Sequence, residues 1–126
     1  MIYTTYFGNL RKLPPNVAPV SISLYPPSWW AGFEYKKLAP DAHDFSQYKR
    51  TGDVEKFFQD YCAHTLEHLN RREVIDEIKK LTGSRDVALV CFEGPGKFCH
   101  RHIASAWLEH GGFLCPEYTI NEEKNA

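Results

Sequence analysis

The chain has 126 residues, 43% of them hydrophobic, 25% charged and 14% aromatic, with a formal charge of −1. That size suits one domain around one core, and the composition excludes both disorder and a fibrous architecture. A charge near zero supplies no global field to gather nucleic acid or anionic lipid, so any anion must be bound locally.

The start, "MIYTTYF", is β-branched and aromatic and reads as a strand, which "GNLRKLPPN" interrupts. It shows neither a charged n-region nor an apolar h-region, and no apolar run reaches the 18 or so residues that span a bilayer, so a cytoplasmic protein without membrane contact is expected. Val17 to Leu24 alternates apolar and small polar residues, as a strand with one covered face does, and Pro26-Pro27 ends it. Residues 26–52 read as a long irregular segment with one helical turn near Asp41 to Tyr48. A connection of that length is uncommon unless it is functional.

Asp53 can cap a first helix in which Val54, Phe57, Phe58, Tyr61, Cys62 and Leu69 recur at three- and four-residue steps. Asn70 and Glu73 have capping-box spacing before the stripe Val74, Ile75, Ile78 and Leu81, and Thr82-Gly83 stops that helix. "DVALVCF", residues 86–92, is a continuous apolar run suited to a strand covered on both faces. Phe98 to His110 predicts a helix with Ile103, Ala104, Trp107 and Leu108 inward. "FLCPEYTI" predicts a last strand, and residues 121–126 a frayed tail. This order predicts a single α/β domain over residues 1–126, three-layered, with a mainly parallel central sheet flanked by helices. Ligands of such sheets bind beyond the carboxyl ends of the strands, where Cys91 to Cys99 falls.

The stretch "CFEGPGKFCHRH" therefore carries the candidate site. A first helical turn has unpaired N–H groups and the positive end of the macrodipole. Gly94 and Gly96 allow close backbone approach to a ligand, while Lys97 and Arg101 add positive charge. Cys99 lies beside Lys97, His100 and Arg101, surroundings that favour a thiolate, with His100 or Glu93 as a candidate base. Cys91 ends the buried strand. The four cysteines, at 62, 91, 99 and 115, include no C-x-x-C pair and are expected as reduced thiols.

A strand ending in C-x-E, a Gly/Pro loop, and C-H-R opening a helix that continues "IASAWLEHGG" resembles the family known as domain of unknown function 488, DUF488. "IYTTYFGNLRKLP" and "YKKLAP" are similar to its branch of small bacterial and phage proteins. The resemblance runs from Met1 to about Gly112. It implies a fold and a site made of Cys91, Glu93, Cys99, His100 and Arg101, and it supplies no reaction. Many relatives carry Asp-x-Arg after the second strand. Here the chain reads "SISLYPPSWW", which puts Ser23, Tyr25 and Trp29 or Trp30 at that place.

Two further features compete for function. His64 and His68 stand four apart after Cys62, a spacing that can grip zinc, but both fall off the apolar stripe and read as exposed. The Cys/His loop lacks structural-zinc spacing, so neither a metal nor a cofactor is assigned. Trp29, Trp30, Phe33 and Tyr35 could stack on a base with Lys36, Lys37 and Arg50 at phosphates, or could simply cover the sheet. The preferred expectation is a pocket between residues 94–101 and the aromatic segment 25–35 that takes a small anionic or nucleotide-like ligand. An enzymatic role through Cys99 stays open. The alternative is a non-catalytic module for nucleic acid or a protein partner, and no oligomeric state is assigned.

Overall fold

Parallel neighbours need crossovers, which pack on the sheet, so a central parallel strand is apolar on both faces. Strand β4 (Asp86–Cys91) meets that demand with buried residues from Val87 through Cys91. The computed structural model of the chain describes residues 1–83, 85–93 and 98–118. In it β4 lies between β1 (Ile2–Tyr6) and β2 (Val17–Ser21), and β3 (Phe33–Glu34) is a short edge, giving the order β1-β4-β2-β3. Every pairing is parallel, with Leu89 opposite both Thr4 and Val20. The chain is thus an α/β domain.

The expectation of one covered face on β2 is corrected: Ala18 and Val20 point into the core and Val17 and Ser21, which alternate with them, are buried too, so both faces are covered. Pro19 survives there for a geometric reason. Ile22 N–H donates to Val90 O (3.0 Å), while Ser21 O accepts from Tyr35 N–H (2.8 Å). That parity points the Pro19 nitrogen toward the β3 side, where pairing starts only at Val20.

Among the described residues there are four α-helices, and the first three follow the caps their sequences carry. The segment expected to be irregular holds α1 (Ala42–Thr51), whose N-cap Asp41 accepts from Asp44 N–H at 2.7 Å and which Gly52 closes at φ 68°. A side chain with a Cβ resists that left-handed conformation. Asp53 caps α2 (Val54–His64), accepting from Lys56 N–H at 3.0 Å. This helix ends at His64 instead of continuing to Leu69, and Val54 and Phe58 are exposed while Phe57 and Tyr61 are buried. Asn70 caps α3 (Arg71–Thr82) as its spacing predicts. The last helix, α4, runs His100–His110 with Cys99 as N-cap.

On one sheet face Ile2, Ala18, Val20, Ile22, Val87, Leu89 and Cys91 join Phe57, Tyr61, Val74, Ile75, Ile78, Ile103, Ala104 and Leu108 in a single core. Alternation sends Thr5 to the other face, where its hydroxyl accepts from Asn9 of a short 3-10 helix, Phe7–Lys12. Among the described residues no helix is long and apolar enough to cross a membrane.

The expected strand from Phe113 reduces, within the described residues, to one parallel bridge between Glu117 and Thr4. Thr4 N–H donates to Pro116 O (2.9 Å) and Tyr118 N–H to Thr4 O (2.7 Å). What secures this bridge is charge. Glu117 receives a two-pronged contact from the fully buried Arg101, Nε at 3.0 Å and Nη2 at 2.9 Å, together with the Thr4 hydroxyl at 2.6 Å. Burial pushes Glu117 upward in pKa, but the hydrogen bonds from Arg101 and Thr4 outweigh it and leave its carboxyl below the usual range.

Removing one partner of a buried pair strands the other charge. Glu117→Leu is therefore expected to lower stability by about 3 kcal/mol, seen as a reduced urea midpoint at unchanged slope. Adding Arg101→Met to it should recover much of the loss. A Glu117→Leu chain as stable as its parent would remove Arg101 from this role.

Candidate functional site

Because the strands are parallel, β2 and β4 end at the same edge of the sheet, and the chain leaving one faces the chain leaving the other. From β2 come Ser23, Leu24 and Tyr25; from β4 come Cys91, Phe92 and Glu93; Phe98, Cys99 and His100 lead into α4. Together these line a cavity of about 270 Å³. The facing wall comes from α1, where Phe45, Tyr48 and Lys49 share one helix face through their i, i+3, i+4 spacing. Tyr48 lies 5.0 Å from the Phe57 ring and 5.4 Å from Phe98, so that end of the cavity is aromatic.

Few polar groups enter it. His100 is buried beneath the pocket with Nε2 at 2.7 Å from Ile22 O. A carbonyl only accepts, so Nε2 carries the hydrogen and Nδ1 keeps a lone pair. Burial pulls the His100 pKa down to about 4, against the opposing effect of that hydrogen bond, so the ring is neutral at neutral pH. Ser23 is 4% exposed, and its hydroxyl has no hydrogen-bond partner among the described residues. A buried hydroxyl left this way costs about 1–3 kcal/mol. Lys49 supplies a positive charge, its Nζ 5.6 Å from the Phe45 ring centroid. Lys36 stabilises the wall itself, donating to Ser23 O (3.1 Å) and Leu24 O (2.7 Å).

The cysteines depart from expectation. Cys91 and Cys99 are joined as a disulfide, because the end of β4 and the N-cap of α4 come side by side. Cys99 therefore acts as a nucleophile only in the reduced form. Cys62 and Cys115 are free. Burial pushes the Cys115 thiol up to about 12 and raises Cys62 as well, which makes both poor thiolates.

Arg101, expected to meet a ligand anion, does not line the cavity. Its guanidinium bonds Glu117, the carbonyl of Glu93 and, at 3.5 Å, Cys91 Sγ. Trp29 and Trp30 also lie elsewhere: both meet the Phe7 ring edge-on, Trp29 stays 63% exposed, and Trp30 Nε1 donates to Phe33 O. These rings gather with Phe92 around Phe7, so of the expected aromatics only Tyr25 reaches the pocket. Lys37 pairs with Glu77. Gly94, Gly96 and Lys97 lie outside the described residues. His64 bonds the buried carboxylate of Asp44 at 2.8 Å, and since α2 stops there, His64 and His68 do not share a helix.

Phe45, Tyr48 and Lys49 escaped sequence reasoning. The signal was present in Asp41 as a cap and Gly52 as a stop, which bracket a helix of three turns.

Fold and site together define a parallel α/β domain with an aromatic pocket at the carboxyl ends of two inner strands. A family model, DUF488-N3a, described as the active DUF488-N3 subclade, matches residues 8–112. The chain belongs to the DUF488 family. No curated protein and no solved structure gives a significant match.

The buried imidazole makes stability depend on pH. Unfolded, His100 titrates near 6.5; folded, near 4, so the folded chain binds fewer protons between those values. Stability from this group is full above about pH 6.5 and falls as pH drops toward 4. For metal-free protein the loss between pH 8 and pH 5 is expected to be about 2 kcal/mol, read from urea midpoints. His100→Gln keeps a donor for Ile22 O and should flatten that part of the profile. An unchanged profile would assign the loss to other groups.

Proposed function

We propose that this chain binds a small nucleotide-like ligand, one flat ring and one anionic group, in the pocket above β2 and β4. The observation that carries the reading is the buried Ser23 hydroxyl, which lines the cavity and lacks a partner among the described residues. Natural interiors rarely leave such a group unmatched, so a ligand atom is its natural complement. Aromatic walls with few polar groups suit a ring, and about 270 Å³ limits the ligand to the size of a mononucleotide. Lys49, at the rim, is the charge for the anionic end. The first turn of α4 offers a second anion contact, since Cys99 makes no side-chain capping bond there.

The matched subclade is described as active. Any chemistry in this chain would fall to Cys91, Cys99, His100 and Glu93, which surround the same cavity. The rival reading, a surface for nucleic acid or protein built on the aromatic segment, keeps the exposed Trp29 but loses Trp30, whose ring packs on Phe7 and whose Nε1 donates to Phe33 O.

Calorimetry with a nucleoside monophosphate, the matching nucleoside and inorganic phosphate tests the proposal. The monophosphate should bind more tightly than either fragment. Ser23→Ala should weaken it about fivefold, the equivalent of one ordinary hydrogen bond. Lys49→Met should reduce the salt dependence. Equal affinity in parent and Ser23→Ala, or no heat with any of the three, would sink the reading.

A further inference from the structure

Three potential metal ligands meet at the base of the pocket. The sulfurs of Cys91 and Cys99 and a ring nitrogen of His100 all lie within 4.8 Å of one another. Ligand atoms of tetrahedral zinc, bonded at about 2.0–2.3 Å, sit about 3–4 Å apart, so the two sulfurs, joined in the oxidised chain, must part by that much on reduction, while the His100 ring already lies beside them. The Cα atoms of the two cysteines are 7.1 Å apart. Disulfides usually close spans of about 4.4–6.8 Å, and the wider gap leaves room between the sulfurs once they are reduced.

We propose that the reduced form of this chain binds one thiophilic divalent cation, of the Zn²⁺ class, through Cys91, Cys99 and His100. Two soft sulfurs and one imidazole form a donor set that selects such a cation over hard ions like Mg²⁺. The surroundings match what a ligand set requires. The Ile22 carbonyl bonds Nε2 of His100 and leaves Nδ1 as the coordinating atom, the arrangement that fixes ring orientation at metal sites. Arg101 Nη1, 3.5 Å from Cys91 Sγ, is a donor to the thiolate that the metal creates. Binding displaces one proton from each thiol, and the neutral imidazole loses none.

Among the described residues the group contains three ligands. A structural zinc site is closed by four, whereas three leave a position for water or substrate. All three residues line the cavity, so that position opens into it. The metal thus deepens the proposed function, by offering a coordination site to the ligand's anionic group, yet its binding is measured without any nucleotide.

The test uses the full chain, reduced without oxygen by a water-soluble phosphine. The phosphine takes oxygen from water as the Cys91–Cys99 bond gains two electrons and two protons. After the phosphine is removed, Co²⁺ is added. One equivalent should bind, with a thiolate-to-cobalt charge-transfer band and strong visible bands of tetrahedral cobalt, and Zn²⁺ should displace it. Cys99→Ser should lose about half of the charge-transfer intensity and weaken binding by more than the roughly tenfold cost of losing an outer-shell partner. Cys62→Ser, with circular dichroism confirming both folds, should leave the spectrum unchanged. Chain kept oxidised by glutathione disulfide should take up no cobalt. Absence of the charge-transfer band in folded, reduced parent, or the same band in Cys99→Ser, would overturn the proposal. Nucleotide calorimetry on metal-free chain is a separate reading, so each claim fails on its own measurement.

Discussion

A guanidinium without solvent exposure anchors the carboxyl edge of this sheet. Arg101, on α4, bonds the end of β4 at Cys91 Sγ and Glu93 O and the 113–118 stretch at Glu117, and Glu117 in turn holds β1 through the Thr4 hydroxyl. The Tyr6 ring lies 5.6 Å from the guanidinium carbon. An arginine can be buried only if nearly all its donors are met, because the cost of leaving a charge unpaired in the interior exceeds that of any single contact elsewhere. That demand fixes where α4 starts relative to β4. The pocket exists because of this spacing: with α4 pinned by Arg101, His100 falls above β2 and Cys99 comes beside Cys91.

The same pinning explains why the cavity is polar at one end and aromatic at the other. Strand ends and a helix start bring backbone, sulfur and imidazole together on the sheet side. The opposite side is supplied by α1 and α2, which contribute the rings of Phe45, Tyr48 and Phe57 together with the Lys49 ammonium. Lys36 ties the backbone of Ser23 and Leu24 and so fixes the chain leaving β2, while Tyr61 holds Leu38 O, in the turn after β3, at 2.6 Å. The backbone that carries the buried Ser23 hydroxyl is thereby held in place.

Much of the architecture was legible in the sequence because local and global signals agree there. The run from Val87 to Cys91 demands burial on both faces, and Asp53 and Asn70 both act as the caps their spacing predicts. Failures came where a tertiary partner overrides local pattern. Val54 and Phe58 keep helical spacing with Tyr61, but the core meets only the Phe57 and Tyr61 side of α2. Residues 42–51 are mostly polar, so only one turn near Asp41 to Tyr48 was legible where α1 runs to Thr51, and of its few apolar residues Tyr48 packs against the core while Phe45 lines the pocket. The cysteine pair was invisible for a similar reason: residues 91 and 99 lack any recognised spacing and meet only because a strand end abuts a helix start.

The C-H-R triplet shows how far helix geometry alone divides labour. Successive positions on a helix turn by about 100°, so three adjacent residues cannot face one place. Cys99, still extended as the N-cap, points its sulfur at Cys91 and the cavity. His100 turns toward β2, where Ile22 O orients it and the Tyr61 ring packs at 5.5 Å. Arg101 turns further, to the β1 side and Glu117. A motif that reads as one reactive cluster on paper is therefore a sulfur for the pocket, an imidazole between pocket and sheet, and a buried cation for the fold. Arg101, expected to meet an anion, is instead committed to Glu117 and the Glu93 carbonyl, and a guanidinium held this way cannot turn to an entering charge without surrendering a structural partner.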